Sequence, residues 1–158
     1  MSDDASPRRG LLAAIGRYVV AVAVGNLLWE TAQLPLYTLW RTEPVRSLVR
    51  AVLHCTAGDV VIASVTLAFA LATVGNLRWP DERLTAVAAT VIAIGIAYTI
   101  GSEYLNTVVR RTWTYTEGMP MLPWTGTGLA PLAQWVVVPV FALVAARRGA
   151  SMTGKGNA

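Results

Sequence analysis

Residues 27–40 read LLWETAQLPLYTLW: an oily stretch that carries Glu30 and Gln33 one helical turn apart among Leu, Trp and Tyr. A carboxylate in such company is expected only where the chain turns it away from solvent and from lipid alike. The surrounding composition says which solvent that is. Of 158 residues, 54% are hydrophobic and 14% charged, against roughly a quarter charged in an ordinary soluble domain. Four stretches, about 11–40, 57–77, 84–105 and 129–146, supply the ~20 residues that cross a bilayer at ~1.5 Å each. The expected fold is all-α: a single transmembrane domain, an integral membrane four-helix bundle. The ends MSDDASPRRG and GASMTGKGNA are small and polar, which predicts short disordered tails over about 1–10 and 149–158. Arg17 interrupts the apolar run after SPRRG, so a retained first span is favoured over a cleaved leader.

Orientation follows from the 13 basic residues. Placing both tails and the 78–83 loop on one side collects Arg8, Arg9, Arg17, Arg78, Arg83, Arg147, Arg148 and Lys155, and leaves Arg41, Arg46, Arg50, Arg110 and Arg111 opposite. That bias predicts cytoplasmic termini and a place in a bacterial inner membrane. The net charge of +4 is accounted for by helix-end anchors, with no aromatic-interleaved basic patch to suggest nucleic acid. Cys55 is the single cysteine, which excludes an internal disulfide; it reads as a small buried residue.

Counting from the cytoplasmic arginines at ~1.5 Å per residue puts Glu30 and Gln134 about 20 Å up their helices, Asp59 near ~28 Å and Glu103 near ~30 Å. All four spans therefore place a polar group in the outer half of the bilayer. A charge facing lipid costs at least ~2.5 kcal/mol, so these groups turn inward to partners, a cavity or a ligand. Asn26, Glu30 and Gln33 share one helical face, and Thr99, Glu103, Asn106 and Arg110 another. In a purely structural reading Glu103 pairs with Arg110 or Arg111 and the amides serve as glue. Three carboxylates and His54, the only histidine, exceed what glue requires, which points to proton donors and acceptors.

The chain also looks internally repeated. LLWETAQLPLYTLWRTEP (27–44) is echoed by IGSEYLNTVVRRTWTYTEGMP (100–120): an acid on the helix, an aromatic and Thr-rich exit, then Arg, Thr, Glu and Pro. Two pseudo-repeated helix pairs would make Glu30 and Glu103 equivalent residues facing one cavity. Trp29, Tyr37, Trp40, Tyr104, Trp113, Tyr115, Trp124 and Trp135 fall toward the outer side, with Tyr18 and Trp79 at the other. Gly118, Pro120, Pro123, Gly126, Gly128 and Pro131 break any long helix between spans 3 and 4 and predict an ordered loop over the bundle mouth.

The run from Glu103 to Phe141, with RTWTY at 111–115 and GLAPLAQWVVVP at 128–139, resembles the small integral-membrane lycopene cyclase domain. That family has an acid on one span, an Arg-x-x-Trp-x-aromatic segment, then Gly-x-Pro-Leu-Glu-Glu and an apolar run ending Val-Val-Pro. Trp113, Tyr115, Pro131, Leu132 and Pro139 match, with Gly128 one residue further from the proline than in that pattern, whereas Ala133 and Gln134 stand in place of the paired glutamates. The resemblance implies acid-initiated chemistry on an isoprenoid; the departure removes the carboxylates that would start it.

The residues thus point to an intramembrane site for a hydrophobic isoprenoid or lipid. Glu103 would be its acid or base, Glu30 and Asp59 would share the proton, and Trp29, Gln33, Tyr37, His54, Asn106, Trp113, Tyr115 and Gln134 would bind substrate, Trp29, Trp113 and Tyr115 by offering ring faces to a cation. No cofactor is implied. One alternative is a non-catalytic membrane subunit, proton relay or transporter component, acting as a homo-oligomer or with a membrane partner protein. The small-residue faces AVAVG (21–25) and AIGIA (93–97) would permit the close packing this needs. Another is a divalent metal site built from His54, Asp59, Glu30 and Glu103.

Overall fold

A computed structural model describes residues 5–153. Helix α1 (Ala5–Gln33) leads through a 3-10 turn (Leu34–Leu36) and the short α2 (Leu39–Thr42) into α3 (Val45–Thr73); α4 (Leu84–Tyr104) runs on as a π-helical turn (Leu105–Val109), and α5 (Leu129–Thr153) closes the chain. Four helices are long and apolar enough to cross a membrane. The expected tails at residues 1–4 and 154–158 lie outside the described residues, while helix covers 5–10 and 149–153.

Two helix ends differ from the sequence reading, and proline explains both. The first span was expected to run to Trp40, but Pro35 has no N–H to continue the ladder and α1 stops at Gln33. The second was expected from residue 57, but Pro44 caps a helix that starts at Val45, twelve residues earlier than hydropathy alone suggests because Arg46 and Arg50 dilute its first turns.

Burial is inverted relative to a water-soluble bundle. Val20, Val24, Leu28, Val61, Val65, Phe69 and Phe141 are exposed, while Asn26, Gln33, Thr99, Glu103 and Gln134 are buried. Lipid is the solvent for which that arrangement is stable. Several hydroxyls along the spans close onto their own helices, as in Ser64 to Val60 O and Thr99 to Gly95 O, which satisfies those donors without water.

The helices form a ring in chain order: α1 packs on α3 and α5, α4 packs on the same two, and α1 and α4 occupy opposite corners. The closest pair, α1 and α5, is drawn together at Gly25, where a Cβ would sit 2.9 Å from Val138 Cγ1. Gly95 plays the same part on α4, beneath the Trp135 ring. Both small-residue faces singled out in the sequence therefore hold contacts within the chain. Arg17 ties one end by donating to Ala146 O at 2.9 Å, and Trp29 ties the other by donating to Ala130 O at 3.2 Å.

Tyr18 and Trp79 were expected at the membrane interface; instead they are 0% and 1% exposed, packed with Ala14, Ala70 and Ala146. Alanines on three helices leave room for two large rings at that end. The same contacts bring the 74–83 connection beside the start of α1 and the end of α5. Beyond them Glu82 accepts hydrogen bonds from Arg78 and Asn76, which hold its carboxyl below the usual range. At the opposite end the long connection is ordered. Thr38 N donates to Thr114 O and Thr116 N to Leu36 O, both at 2.9 Å, pairing Tyr37 with Tyr115 across an antiparallel bridge. A second bridge joins Met121 to Gly128, and Gly126 takes the positive φ of 68° that its turn requires.

Candidate functional site

Inside the ring, below this cap, lies a cavity of about 590 Å³. It has the size of a small-molecule pocket, roughly 300–1,000 Å³. Glu30, Gln33 and Tyr37 face it from the α1 side, His54, Cys55, Gly58 and Asp59 from α3, Tyr98, Glu103 and Asn106 from α4 and its extension, Trp113 from the loop, and Gln134 and Trp135 from α5. The convergence expected from four separate spans is thus one space.

Two polar groupings line it. In the first, Gln134 Nε2 lies 2.9 Å from Asn26 Oδ1, 3.1 Å from Glu30 Oε1 and 2.9 Å from Asp59 Oδ2. An amide nitrogen carries two hydrogens, so three acceptors on two other helices compete for them. Gln33 adds a donor: its Nε2 reaches Glu30 Oε1 at 3.0 Å and Gln134 Oε1 at 3.2 Å. Trp29 in turn donates to Gln33 Oε1 at 3.2 Å. The indole orients the amide and does not line the cavity, whereas Tyr98 and Trp135, whose rings are 6.4 Å apart, do. Tyr98 carried no sequence signal beyond lying two turns from neighbours on α4.

The second grouping centres on Glu103. No ion pair forms with Arg110 or Arg111: among the described residues the one salt bridge is Arg78–Glu82. Instead Tyr115 Oη donates to Glu103 Oε2, and the same hydroxyl accepts from Gly128 N at 3.1 Å. The chain can return Tyr115 to Glu103 because α4 loosens into the π-turn and Arg111 adopts a left-handed φ of 54°. Burial, then the bond to Glu103, pushes the Tyr115 phenol well above its ordinary range; burial and the charge of Glu103 do the same for Tyr37. Both hydroxyls are therefore protonated donors throughout the physiological range.

The remaining expected residues are placed as follows. Asn106 lines the cavity but donates back to Ser102 O at 2.9 Å. His54 is exposed at the cavity rim. The four proposed metal ligands do not come together: among the described residues no three His, Cys, Asp or Glu side chains converge on one point.

Compared with protein-family models, with curated proteins and with solved structures, the chain matches none.

Proposed function

We propose that the protein is a multi-pass protein of a bacterial inner membrane, both termini cytoplasmic, that binds a hydrophobic isoprenoid or lipid between its helices and exchanges protons with it through carboxyl groups. The observation that carries this reading is the cavity itself: three carboxyl side chains and an aromatic wall of Tyr98, Trp113 and Trp135 around one partly open space between the helices. A structural network would be expected to close on itself and fill its space with side chains. Here the polar groups border a void instead.

The chemistry available is acid–base. Glu103 holds or releases a proton with Tyr115 as its hydrogen-bond partner. Glu30 and Asp59, sharing the Gln134 amide, can pass a proton between them without separating charge in a medium of low dielectric. The rings of Trp113 and Trp135 border the cavity and would meet positive charge on a ligand there. Gln134, which occupies the place of a glutamate in the cyclase-like pattern, supplies a donor and no acid, so this chemistry starts from Glu103. The competing reading, a non-catalytic membrane subunit or relay, draws on the cross-bracing of α1, α3 and α5 by Gln134.

The test is mass spectrometry of the organic extract of protein purified in mild detergent from its own host, beside a Glu30→Gln, Glu103→Gln double variant. A defined isoprenoid or lipid, enriched with the wild type and lost in the variant, is expected. Identical extracts containing only bulk phospholipid would overturn the proposal in favour of a structural network.

A further inference from the structure

Donors and acceptors are satisfied unequally along the depth of the cavity. At the bottom each carboxyl group has a donor within reach: Gln33 and Gln134 for Glu30, Gln134 for Asp59, and Tyr115 for Glu103. Toward the loop the balance reverses. Tyr37 lines the cavity and is 9% exposed, and among the described residues its hydroxyl makes no hydrogen bond. Arg110 and His54 line the same space, and the one salt bridge among the described residues, Arg78–Glu82, engages neither. At ~1.5 Å per residue, His54 stands about 7 Å nearer the loop than Asp59 on α3, and Arg110, past the π-turn, about 10 Å nearer than Glu103. Three carboxyl groups with donors thus lie below a set of donors that lack an acceptor.

That set selects a charge. A guanidinium carries five N–H donors and no acceptor, and a phenol and an imidazole each offer one more. A single hydroxyl or ether oxygen would leave the arginine's charge uncompensated, an ammonium would meet a like charge, and a hydrocarbon would accept nothing. The oxygens of a phosphate accept several donors at once, and their bonds to arginine are charge-assisted and bidentate. Leu34, Leu39, Val52 and Ile62 border the same cavity; such a wall suits a hydrocarbon chain attached to the anion and offers a free anion nothing.

We infer that the ligand is an isoprenoid or lipid with a phosphate-type anionic head group, held at the loop end by Arg110, His54 and Tyr37, its apolar chain directed toward Glu30, Asp59 and Glu103. This rests on the ligand-site reading above and adds the charge of the head group and the direction in which the molecule lies. The carboxyl groups then face the chain, and the anion stays apart from them.

The experiment uses the full chain in nanodiscs and, as photolabel, a C20 isoprenoid phosphate with a diazirine on the unit next to the head. Unlabelled competitors are the same phosphate, the corresponding alcohol and amine, inorganic phosphate, and phosphatidylglycerol. The isoprenoid phosphate should compete at least tenfold more tightly than the alcohol or the amine, and crosslinks should map to 37–39, 51–55 and 106–113. Arg110→Gln should weaken the phosphate at least tenfold and leave the alcohol unchanged. Arg111 does not line the cavity, so Arg111→Asn, a residue that tolerates its left-handed backbone, should change neither. Equal competition by alcohol and phosphate, or tighter binding of the amine, would overturn the anionic head group while leaving a ligand site. Crosslinks confined to the segments around Glu30, Asp59 and Gln134 would overturn the direction. Inorganic phosphate or phosphatidylglycerol competing as well as the isoprenoid phosphate, or equal losses in the two arginine variants, would overturn Arg110 as a determinant of this ligand. Photolabelling that no competitor reduces would overturn the ligand site as well.

Discussion

Replacing Gln134 by Leu removes one amide from the centre of the bundle and leaves its volume nearly filled, so the change reads the hydrogen bonds with little packing contribution. Gln134 is 3% exposed. Its nitrogen can serve two of the acceptors Asn26, Glu30 and Asp59 at any moment, and its oxygen accepts from Gln33. Three bonds are lost. Hydrogen bonds between membrane helices average ~0.6 kcal/mol and reach ~1.7, so the variant should be about 2 to 5 kcal/mol less stable. Reversible unfolding in mixed micelles, titrated with a denaturing detergent and followed by far-ultraviolet circular dichroism, measures the difference. A double-mutant cycle with Asp59→Ala, which removes the acceptor, should show coupling of ~0.6–1.7 kcal/mol. A loss below about 0.5 kcal/mol, within the range of an inconsequential surface change, would refute the claim that this amide joins α1, α3 and α5.

Gly95→Ala should destabilise, because the added Cβ would lie 2.2 Å from Trp135 Cε3; the overpacking cost of ~1–3 kcal/mol exceeds the gain of up to ~1 kcal/mol in helix propensity. Gly58→Ala, whose Cβ meets nothing, should keep that gain, and the same unfolding titration compares the two. Tyr115→Phe strips Glu103 of its donor and Gly128 N of its acceptor; a loss of about 1–3 kcal/mol and faster proteolysis within 110–128 should follow. In alkaline titration Tyr37 and Tyr115 stay protonated above the ordinary phenol value of about 10, their phenols being raised in the fold. The unfolded chain ionises first, so their contribution is whole below about pH 10 and falls as pH rises beyond it; the difference in phenolate absorbance between wild type and Tyr115→Phe should be absent at that pH.

Much of this was legible in the residues. Spans and connections follow from apolar length, and the meeting of Glu30, Asp59, Glu103 and Gln134 follows from the cost of leaving any of them in lipid. Helix ends were less so: Pro35 lacks the N–H that would continue α1, and the first turns of α3 behind the Pro44 cap carry Arg46 and Arg50, which a hydropathy average reads as the end of a span. The partner of Glu103 was hidden for another reason. Arg110 and Arg111 are near it in sequence and opposite in charge, but the π-turn and a left-handed Arg111 bring back Tyr115, a tertiary consequence with no local spacing. Trp29 shows the limit of face arguments, since its ring lies one residue from Glu30 and on a different side of α1. The buried positions of Tyr18 and Trp79 depend on alanines contributed by three helices, and only the packed bundle brings those together.

The central claim is that the space between the helices is a ligand site, and native mass spectrometry of the wild type beside Gly58→Trp tests it most directly. The substitution puts a ring at the cavity wall, where a Cβ has open space, and leaves each hydrogen bond of the Gln134 and Glu103 groupings intact. The account predicts a bound species of defined mass on the wild type and none on a variant of undiminished stability. The same adduct on both proteins, or on neither, would contradict it.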